Sequence, residues 1–562
     1  MNAVSGYVSH QKPKIDAGTV EAWIADDPDP AAQAELRDLL DRLPDTAAAA
    51  ELADRFAGPL TFGTAGLRGP MRAGPNGMNL AVVRGAAAGL VRWLAGRGAT
   101  GPLVIGFDAR RGSAQFAAET ARVATGAGRA ALVLPRPLPT PVLAHAVRVL
   151  DAAAGVVVTA SHNPPADNGY KVYLGEQLGG PAGAGAQIAP PVDAEIEAAI
   201  RSVGPLSAVP LGPPGTVLGE DPVTGYVAAA AGVVDPGSPK QLAIAYTPLH
   251  GVGGPVLAAA LARAGFDPPA VVAEQAEPDP DFPTVAFPNP EEPGAMDRLL
   301  ALAAETGADL ALANDPDADR CAVAVPERGP GGGWRVLRGD ELGVLLADHL
   351  IRRGVPGCYA TTIVSSSLLR ALCAAREVPY AETLTGFKWI VRAAEDLGYG
   401  YEEALGYCVA PGMVRDKDGI TAALLVCELA AGLGAELRTL ADRLDELAAE
   451  FGVYATDQLS VRVDDGSEIA AAMRRLRDSP PASLLDEPVT GVEDRADADV
   501  LVVRAGTTRL VVRPSGTEPK LKAYLEVVEP VAGPEDVPAA RERARAALHA
   551  LRTETTAALG LW

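Results

Sequence analysis

Residues 102–135 read PLVIGFDARRGSAQFAAETARVATGAGRAALVLP, and the predicted fold class follows from this run. Two short apolar segments, 102–108 and 130–135, flank a stretch at 113–126 whose apolar residues recur with helical spacing. A third apolar segment, GVVVTA at 155–160, follows after a similar interval. Strands that alternate with helices are typical of βαβ units, so this region is predicted to form a mostly parallel α/β sheet.

The same alternation recurs further along the chain. Apolar, strand-like runs begin near 241, 308 and 358, whereas the region after 451 is strand-rich and ends in a helix from 539. Because single hydrophobic cores stop growing near about 250–300 residues, a chain of 562 residues implies several domains. We predict three related α/β domains at 1–205, 206–325 and 326–452, and a smaller α+β domain at 453–562.

Three Pro/Gly-rich stretches interrupt these blocks, at 179–191, 204–215 and 326–334. Such a composition disfavours regular structure, so they are predicted to be surface insertions or linkers. For 179–191, a disordered insertion and an ordered flap are both compatible with the sequence.

The composition is that of an acidic chain. It has 49 Lys and Arg against 71 Asp and Glu, a formal net charge of −22, and 48% hydrophobic residues. An acidic surface disfavours nucleic acid and anionic membranes, so any phosphate must be held by a local basic pocket. Five cysteines without paired spacing, no secretion-signal pattern and no long uncharged apolar run lead us to expect a cytoplasmic protein with reduced thiols and no membrane span.

The apolar segment at 155–160 runs into the polar sequence TASHNPPADNGYK, residues 159–171. A serine held at a strand end in a Pro- and Asn-rich turn can be rigid and accessible, which makes Ser161 a candidate nucleophile. Taken alone, such a motif is more often a turn in which Ser161 and Asn163 bind backbone groups. A serine-hydrolase site is disfavoured, because G-x-S-x-G is missing and His162 is the chain neighbour of the serine.

A second polar loop, NDPDADR at 314–320, follows the apolar segment ADLALA. Asp315, Asp317 and Asp319 are spaced by two in a proline-containing turn, so their oxygens can converge on one hard cation. An EF-hand is excluded, because the sixth and twelfth loop positions lack the required glycine and glutamate. A solvated acidic turn is the alternative, but a Mg²⁺ site is favoured because three carboxylates between buried strands repel one another without a cation.

Two further polar loops supply binding groups. RPSGTEPKLK at 513–522 offers a guanidinium, hydroxyls and a glycine, which together would form an anion nest, although a plain hairpin tip fits equally well. GYGYEEALGY at 398–407 contains Glu402 and Glu403, whose carboxylates could bind sugar hydroxyls; taken alone, this run is better read as a helix end with surface glutamates. A nucleophile, a cation loop, an anion nest and a hydroxyl-binding loop on four blocks indicate a cleft that moves a phosphoryl group on a polyol.

In this order and at these separations, the four loops resemble the signature loops of the α-D-phosphohexomutases, the phosphoglucomutase/phosphomannomutase superfamily. FGTAGLRG (62–69), GFDAR (106–110), TPLHGVGG (247–254), RGDELG (338–343) and TGFKWI (385–390) extend the resemblance over nearly the whole chain. The resemblance implies a heart-shaped protein, in which three related α/β domains with mixed, mostly parallel sheets and a C-terminal α+β domain surround a central cleft.

The resemblance also implies roles for individual residues. Ser161 would be the phosphoserine, and Asp315, Asp317 and Asp319 would bind Mg²⁺ together with phosphorylated Ser161. A lysine that acts as general acid or base needs a lowered pKa, which nearby arginines favour and a phosphate opposes. The other implied roles are proton transfer and charge stabilisation for Lys171, His162 and Arg320, phosphate binding for Arg68, Arg513, Ser515, Gly516 and Thr517, and sugar binding for Gly386, Lys388, Glu402 and Glu403.

The implied activity is a Mg²⁺-dependent isomerase that interconverts sugar 1-phosphate and 6-phosphate through a sugar 1,6-bisphosphate, with glucose ahead of mannose. Ala404 stands where many hexomutases have a serine, which keeps a phosphopentomutase and a glucose-1,6-bisphosphate synthase as alternatives. A phosphatase and a silent sugar-phosphate-binding protein are disfavoured, because a mutase closes its cleft against water and the serine and aspartates are all present. The expected partner is a small phosphosugar, and the chain is expected to be a monomer or a homodimer.

Overall fold

The computed structural model describes residues 16–43, 45–63, 66–327, 332–463, 466–496, 498–515 and 520–560. Three N-terminal helices come first: α1 (Ala17–Asp26), α2 (Pro30–Asp41) and α3 (Thr46–Arg55). Each begins after an aspartate whose carboxylate accepts a hydrogen bond from a backbone N–H of the first turn. Their apolar faces form a small core of their own around Val20, Leu36 and Leu52.

The next block forms a six-stranded mixed sheet. Its elements are β1 (Leu67–Pro70), α4 (Leu80–Gly96), β2 (Leu103–Phe107), α5 (Ser113–Gly126), β3 (Ala131–Val133), α6 (Thr140–Val149), β4 (Ala154–Val158), β5 (Asp167–Leu174), α7 (Glu176–Gly183), α8 (Val192–Arg201) and β6 (Thr216–Val217). The strand order is β1-β5-β4-β2-β3-β6, in which β4, β2, β3 and β6 are parallel and β5 and β1 join antiparallel. Strands β2 and β4 are almost wholly buried, as expected for parallel strands covered on both faces.

The second block forms a five-stranded mixed sheet. Its elements are α9 (Asp221–Ala231), β7 (Ile244–Thr247), α10 (Gly254–Ala264), β8 (Ala270–Val271), α11 (Asp297–Thr306), β9 (Leu310–Ala313), β10 (Ala322–Pro326) and β11 (Trp334–Val336). The strand order is β11-β10-β9-β7-β8. Strands β9, β7 and β8 are parallel, whereas β10 runs antiparallel to β9.

The third block forms a four-stranded sheet of the same kind. Its elements are α12 (Gly339–Arg352), β12 (Cys358–Thr362), α13 (Leu368–Ala375), β13 (Tyr380–Thr383), α14 (Phe387–Ile390), β14 (Leu397–Glu402), β15 (Gly406–Cys408), α15 (Gly419–Ala435) and α16 (Leu440–Phe451). The order is β13-β12-β14-β15, with only the β14–β15 pair antiparallel. In the described ranges no single helix is long and apolar enough to cross a membrane; α15 and α16 pass by length and composition only as a pair, bent by 88°.

The fourth block is a five-stranded antiparallel sheet with helices. Its elements are β16 (Val453–Arg462), α17 (Gly466–Asp478), β17 (Ser483–Leu484), β18 (Glu487–Pro488), β19 (Gly491–Arg495), β20 (Val500–Ala505), β21 (Thr508–Pro514), β22 (Lys520–Glu529) and α18 (Val537–Leu559). The main sheet has the order β16-β22-β21-β20-β19, and β17 and β18 form a separate pair.

The three α/β sheets repeat one arrangement that positions the candidate loops. In each sheet a buried parallel strand is followed directly by an antiparallel partner: β4 by β5, β9 by β10 and β14 by β15. The candidate loops at 159–171, 314–320 and 398–407 lie at the three connections between these strands; we call them the nucleophile loop, the aspartate loop and the sugar loop after their predicted roles. The predicted fold class, three related α/β domains and an α+β domain, is therefore confirmed.

The predicted elements are reproduced closely where the apolar periodicity is regular. The helix predicted at 113–126 coincides with α5, and the C-terminal helix begins at Val537, near the predicted 539. The stretch 179–191 is ordered, since it contains the end of α7 and its Gln187 Nε2 donates to Asp416 Oδ2 of the third domain. All five cysteines are buried free thiols. The predicted domain boundaries stay predictions.

Candidate active site

The nucleophile loop connects β4 to β5 and positions Ser161 next to the aspartate loop. Ser161 is 1% exposed and adopts a left-handed backbone conformation with φ of 54°. Its N–H donates to Thr159 Oγ1 at 2.9 Å, which ties the turn to the end of the strand. Its Oγ donates to Asp315 Oδ2 at 2.7 Å and lies 3.2 Å from His162 Nδ1. The Ser161 hydroxyl of the first domain is therefore hydrogen-bonded to the Asp315 carboxylate of the second domain.

Arg110, which follows the carboxyl end of β2, forms hydrogen bonds with the backbone carbonyl groups of this loop. Its guanidinium donates to the carbonyl oxygens of Ser161 and Asn163, both at 2.6 Å, and to those of Pro164 at 2.8 Å and Asp167 at 3.2 Å. The Arg110 side chain is almost wholly buried. Because one planar cation satisfies four carbonyls, the loop has a defined shape around Ser161.

The aspartate loop connects β9 to β10 and has the chemistry of a hard-cation site. One carboxylate oxygen each of Asp315, Asp317 and Asp319 lies within 4.8 Å of the other two, and all three residues are buried. Asp317 Oδ1 and Asp319 Oδ1 are buried without a hydrogen-bond partner among the described residues. Such oxygens are costly unless a cation binds them, and an oxygen-only ligand set suits Mg²⁺. The residues present therefore fit a Mg²⁺ ion.

Lys171 on β5 neutralises part of this negative charge. Its Nζ is buried and donates to Asp317 Oδ2 at 2.6 Å and to Asp319 Oδ2 at 2.9 Å. Burial would lower the pKa of Lys171, but the two carboxylates raise it above its ordinary value. This shift is opposite to the one that a general acid or base requires, so the structure favours charge stabilisation over proton transfer for Lys171. Burial and the other two aspartates raise the pKa of Asp315 well above its ordinary value.

Further charged groups surround the serine. Arg68 Nη1 donates to Asn163 Oδ1 of the nucleophile loop at 3.1 Å. Arg320 Nη1 donates to the carbonyl oxygen of Ala404 at 2.8 Å, which links the aspartate loop to the sugar loop. Burial, with Arg320 and Arg68 nearby, lowers the pKa of His162 well below its ordinary value. The imidazole beside Ser161 is therefore neutral in this environment.

The sugar loop contributes Glu402, which ends strand β14. Burial raises the pKa of Glu402 to about 7, although Lys417 and Arg320 oppose the shift. Lys417, which follows β15, places its Nζ 3.4 Å from Asp319 Oδ2 and 5.3 Å from the centroid of the Phe387 ring. A second buried ammonium therefore lies between the aspartate loop and the sugar loop.

The other predicted sugar-binding residues lie around this loop. The Glu403 carboxylate accepts hydrogen bonds from Ser365 Oγ at 2.9 Å and from Thr362 Oγ1 at 3.2 Å. Gly386 precedes α14 with φ of 117°, a conformation that favours glycine. Lys388 Nζ lies 3.6 Å from Asp193 Oδ2 at the start of α8 in the first domain. The sugar-binding roles of these residues stay predictions.

The fourth domain contributes the hairpin between β21 and β22. Arg513 lies opposite Lys522 in the strand register, and Ser515 N–H closes the described part of the hairpin with a 2.8 Å hydrogen bond to β22. Burial and Arg513 lower the pKa of Lys522, whereas Glu403 of the sugar loop opposes this shift. Lys522 is therefore near enough to Glu403 of the sugar loop for their charges to interact. Gly516 and Thr517 lie outside the described residues.

Four family models match consecutive parts of this chain. Three are described as phosphoglucomutase/phosphomannomutase, alpha/beta/alpha domains I, II and III, and they match residues 59–205, 224–331 and 338–451. The fourth, the C-terminal domain of the same family, matches residues 459–539. The chain belongs to the phosphoglucomutase/phosphomannomutase family.

Full-length relatives support the family assignment. A "Probable phosphomannomutase" of Haemophilus influenzae is 45% identical over 460 residues, which cover 80% of this chain and 93% of the relative. A phosphopentomutase of Mus musculus is 33% identical over 549 residues, covering 85% of this chain and 86% of the relative. The crystal structure of a phosphoglucomutase/phosphomannomutase family protein from Burkholderia thailandensis shares the fold, with a TM-score of 0.66 and 20% identity over 87% of this chain and 97% of that chain.

Membership in this family makes the protein an enzyme, a phosphosugar mutase. It is an isomerase that moves a phosphoryl group within a sugar phosphate, and it acts in carbohydrate metabolism. The structure brings Ser161, His162, Lys171 and the three aspartates together through direct contacts. The catalytic roles of these individual residues stay predictions.

Two residues of this site were missed by the sequence analysis. Arg110 was quoted in GFDAR without a role, because the four carbonyl groups that it binds lie 51 to 57 positions away. Lys417 lies in RDKDG at 415–419, a polar run that follows a buried strand and resembles the other candidate loops. The same rule, polar residues after a buried strand, could have found Lys417 but not the function of Arg110.

Proposed function

We propose that this family member is a Mg²⁺-dependent mutase that interconverts a sugar 1-phosphate and the corresponding 6-phosphate, with glucose phosphates as preferred substrates and mannose phosphates next. The observation that carries the proposal is the 2.7 Å hydrogen bond from Ser161 Oγ to Asp315 Oδ2, because it joins a nucleophile to a cation site of another domain. The cytoplasmic location and the monomeric or homodimeric state stay predictions.

Asp315, Asp317 and Asp319 would hold the metal ion in this proposal. Mg²⁺, when bound, neutralises charge that develops on the transferring phosphoryl group. The two orphaned oxygens, Asp317 Oδ1 and Asp319 Oδ1, support this role, since the remaining oxygens of both side chains are already occupied by Lys171.

In the proposed cycle, Ser161 carries a phosphoryl group between substrate molecules. The bond between phosphorus and Ser161 Oγ breaks as the free hydroxyl of the bound sugar phosphate takes the phosphoryl group. The proton of that hydroxyl passes through His162 to Ser161 Oγ, and a sugar bisphosphate forms. After the bisphosphate reorients, its other phosphoryl group returns to Ser161 Oγ, whose proton leaves. His162 Nδ1, 3.2 Å from this oxygen, is the acceptor we assign, and it passes the proton on to the departing sugar oxygen, so that both groups return to their starting states. Charged Lys171 would stabilise the negative charge of the reacting groups.

The remaining residues would bind the substrate rather than react with it. Glu402, whose pKa is raised to about 7, could donate to vicinal sugar hydroxyls in its protonated form and accept from them in either form. Gly386, Lys388 and Glu403 would complete the sugar site. Arg68 and the hairpin residues Arg513, Ser515, Gly516 and Thr517 would bind the phosphate that is not transferred.

A phosphopentomutase is the second candidate. Two observations favour it. The sugar loop has Ala404 where many hexomutases have the hydroxyl of a serine, and a phosphopentomutase is among the relatives at 33% identity over most of both chains. The chemistry at Ser161 would be the same, and the acceptor hydroxyl would be the 5-hydroxyl of a pentose.

An activity panel tests the proposal. Glucose, mannose, glucosamine and ribose 1-phosphates would be assayed with Mg²⁺ and a catalytic amount of the matching bisphosphate. Formation of glucose 6-phosphate with the highest kcat/KM supports the leading proposal, and a preference for ribose 1-phosphate supports the second. Net accumulation of bisphosphate would indicate a synthase, release of inorganic phosphate a phosphatase, and inactivity on every sugar a silent binding protein.

A further inference from the structure

Three consecutive serines follow strand β12 and each binds a carboxylate of another element; we call residues 365–367 the serine segment. Ser365 Oγ donates to Glu403 Oε2 of the sugar loop at 2.9 Å. Ser366 Oγ donates to Glu526 Oε1 of the fourth domain at 2.8 Å, and Ser367 Oγ donates to Glu526 Oε2 at 2.8 Å. One short segment thus touches both the sugar loop and the closing domain.

The carboxylate of Glu526 is buried and accepts hydrogen bonds at both of its oxygens. It is 3% exposed and also accepts the N–H of Ser367 at 2.7 Å. On the neighbouring strand, Arg509 Nη2 lies 3.0 Å from Glu526 Oε2. The same guanidinium donates to the carbonyl oxygen of Ile363 at 3.0 Å and to that of Ser365. The fourth domain therefore forms hydrogen bonds with both the side chains and the backbone in and beside the serine segment.

Glu526 and Arg509 lie on the two strands that carry the phosphate-binding hairpin. Arg509 pairs with Glu526 in the register of β21 and β22, and Arg513 pairs with Lys522 four residues nearer the hairpin tip. An apolar contact supports this junction, in which Ile363 and Val364 pack against Val511 and other residues of the fourth sheet. Glu526 and Arg509 are therefore connected through β21 and β22 to the hairpin that carries Arg513.

At the other end, the serine segment positions Glu403 by two hydrogen bonds. Ser365 Oγ donates to the Glu403 carboxylate and accepts the Glu403 backbone N–H at 3.2 Å. The adjacent residue, Glu402, is the proposed sugar ligand. The chain of contacts thus runs from Glu402 and Glu403 through the serine segment to Glu526 and the hairpin that carries Arg513.

We propose that the serine segment couples the docking of the fourth domain to the position of the sugar loop, and that Glu526 is the positioning residue through which the domain acts. This inference rests on the proposed function, because it makes the sugar site and the phosphate site assemble together. A buried ion pair such as Arg509–Glu526 is by itself weak evidence for stability. We therefore assign it a role in specifying one arrangement of the third and fourth domains. If the contacts served packing alone, the two ends of the segment would respond independently to mutation.

Hydrogen–deuterium exchange of the whole chain tests the coupling without turnover. Glu526→Gln keeps the shape of the side chain but removes its charge, and we expect about tenfold faster exchange both in peptides that cover 363–367 and in peptides that cover 402–405. Exchange in 159–171, the nucleophile loop, should not change. The matched control is Glu529→Gln on the same strand, since Glu529 pairs with Arg543 near the surface and should leave both peptides unchanged. Wild-type exchange at 402–405 in Glu526→Gln would overturn the proposal.

A double-mutant comparison separates coupling from independent loosening. Ser365→Ala removes both hydrogen bonds that the serine segment makes to Glu403, so the exchange of 402–405 in the Ser365→Ala/Glu526→Gln double variant should equal that of Ser365→Ala alone. If the two rate increases multiply instead, the proposal is wrong. Ser367→Ala, which keeps the Arg509–Glu526 ion pair, repeats the test should Glu526→Gln fail to fold.

Kinetics of the same variants connect the coupling to turnover. We expect Glu526→Gln to raise KM for the sugar phosphate about tenfold, while phosphorylation of Ser161 by the bisphosphate keeps its maximal rate at saturation. An inactive wild-type protein that shows the expected exchange pattern would refute the proposed function and leave the coupling intact. An active wild-type protein whose variants do not show that exchange pattern would support the proposed function and refute the coupling.

Discussion

At the scale of single residues, the site is a balance of buried charge. Three carboxylates lie together in the aspartate loop, and two ammonium groups, Lys171 and Lys417, contact them. Lys171 occupies one oxygen each of Asp317 and Asp319, while the second oxygen of each is orphaned within the described chain. Two buried carboxylate oxygens are therefore left without a hydrogen-bond partner in the described chain, which agrees with the proposed cation site.

Replacing Asp317 by Asn should remove metal dependence together with most activity. We expect kcat to fall by about a hundredfold or more, because one charged ligand of the proposed Mg²⁺ site is lost. The rise in Tm that added MgCl₂ causes in the wild-type protein should also disappear, since that rise reports binding to the folded state.

Asp309→Asn is the matched control for this experiment. Asp309 is exposed just before β9 and accepts the N–H of Ala243, so its replacement should keep both the activity and the Mg²⁺-dependent Tm shift. An Asp317→Asn protein with wild-type Mg²⁺ dependence would show that the aspartate loop is not the metal site.

The residues that could be predicted from sequence are those whose chemistry is local. Asp315, Asp317 and Asp319 were found because alternate aspartates in a proline-containing turn favour a cation site, and the structure clusters all three. The function of Arg110 could not be found in this way, because it depends on carbonyl groups of a loop more than 50 residues away. The raised pKa of Lys171 likewise comes from two carboxylates of another domain.

At the scale of elements, each α/β domain presents its loop in the same way. A buried parallel strand leads into the candidate loop, and the chain returns along an antiparallel strand. Each loop contains one residue other than glycine in the left-handed region: Ser161 with φ of 54°, Ala318 with φ of 53° and Leu405 with φ of 62°. Such conformations persist where the surrounding structure holds them, which is consistent with loops whose geometry serves a function.

The start of α12 provides a prediction about pH. Burial raises the pKa of Asp340 to about 7, against the opposing effect of the hydrogen bond from Ser366 N–H. Because the folded-state pKa lies above the unfolded value of 3.8, the native state binds more protons between these pH values, and stability falls as pH rises through them. The loss approaches about 1.4 kcal/mol per pH unit over that range.

Asp340→Asn should remove this contribution while keeping an oxygen that can accept from Ser366. We expect the free energy of unfolding, measured by denaturant titration, to fall less between pH 5 and about pH 7 in Asp340→Asn than in the wild-type protein. Identical pH dependence in both proteins would mean that Asp340 is ionised throughout this range.

Element boundaries could be predicted where apolar periodicity was regular, and less well elsewhere. The helix α5 was placed without error because its apolar positions follow one face between a glycine and a strand. For 179–191 the sequence left a disordered insertion and an ordered flap both open, and tertiary contacts such as the Gln187–Asp416 hydrogen bond decide for an ordered segment. Contacts of that kind join distant segments and leave no local signal.

At the scale of the whole molecule, single contacts between domains assemble the cleft. Ser161 of the first domain donates to Asp315 of the second, and Arg320 of the second domain donates to the carbonyl oxygen of Ala404 in the third. Arg509 of the fourth domain reaches Ile363 and Ser365 of the third. The sequence indicated four cooperating loops, but only the folded chain reveals which atoms meet.

The central claim is that Ser161 carries the phosphoryl group, and intact-mass analysis tests it most directly. The purified protein would be incubated with glucose 1,6-bisphosphate and Mg²⁺ beside Ser161→Ala and a control, Ser202→Ala, whose serine is exposed on the surface. We predict that the wild-type protein and Ser202→Ala gain the mass of one phosphate group and that Ser161→Ala gains none. A Ser161→Ala protein that is phosphorylated as fully as the wild type, or a wild type that takes up no phosphate, would contradict the account.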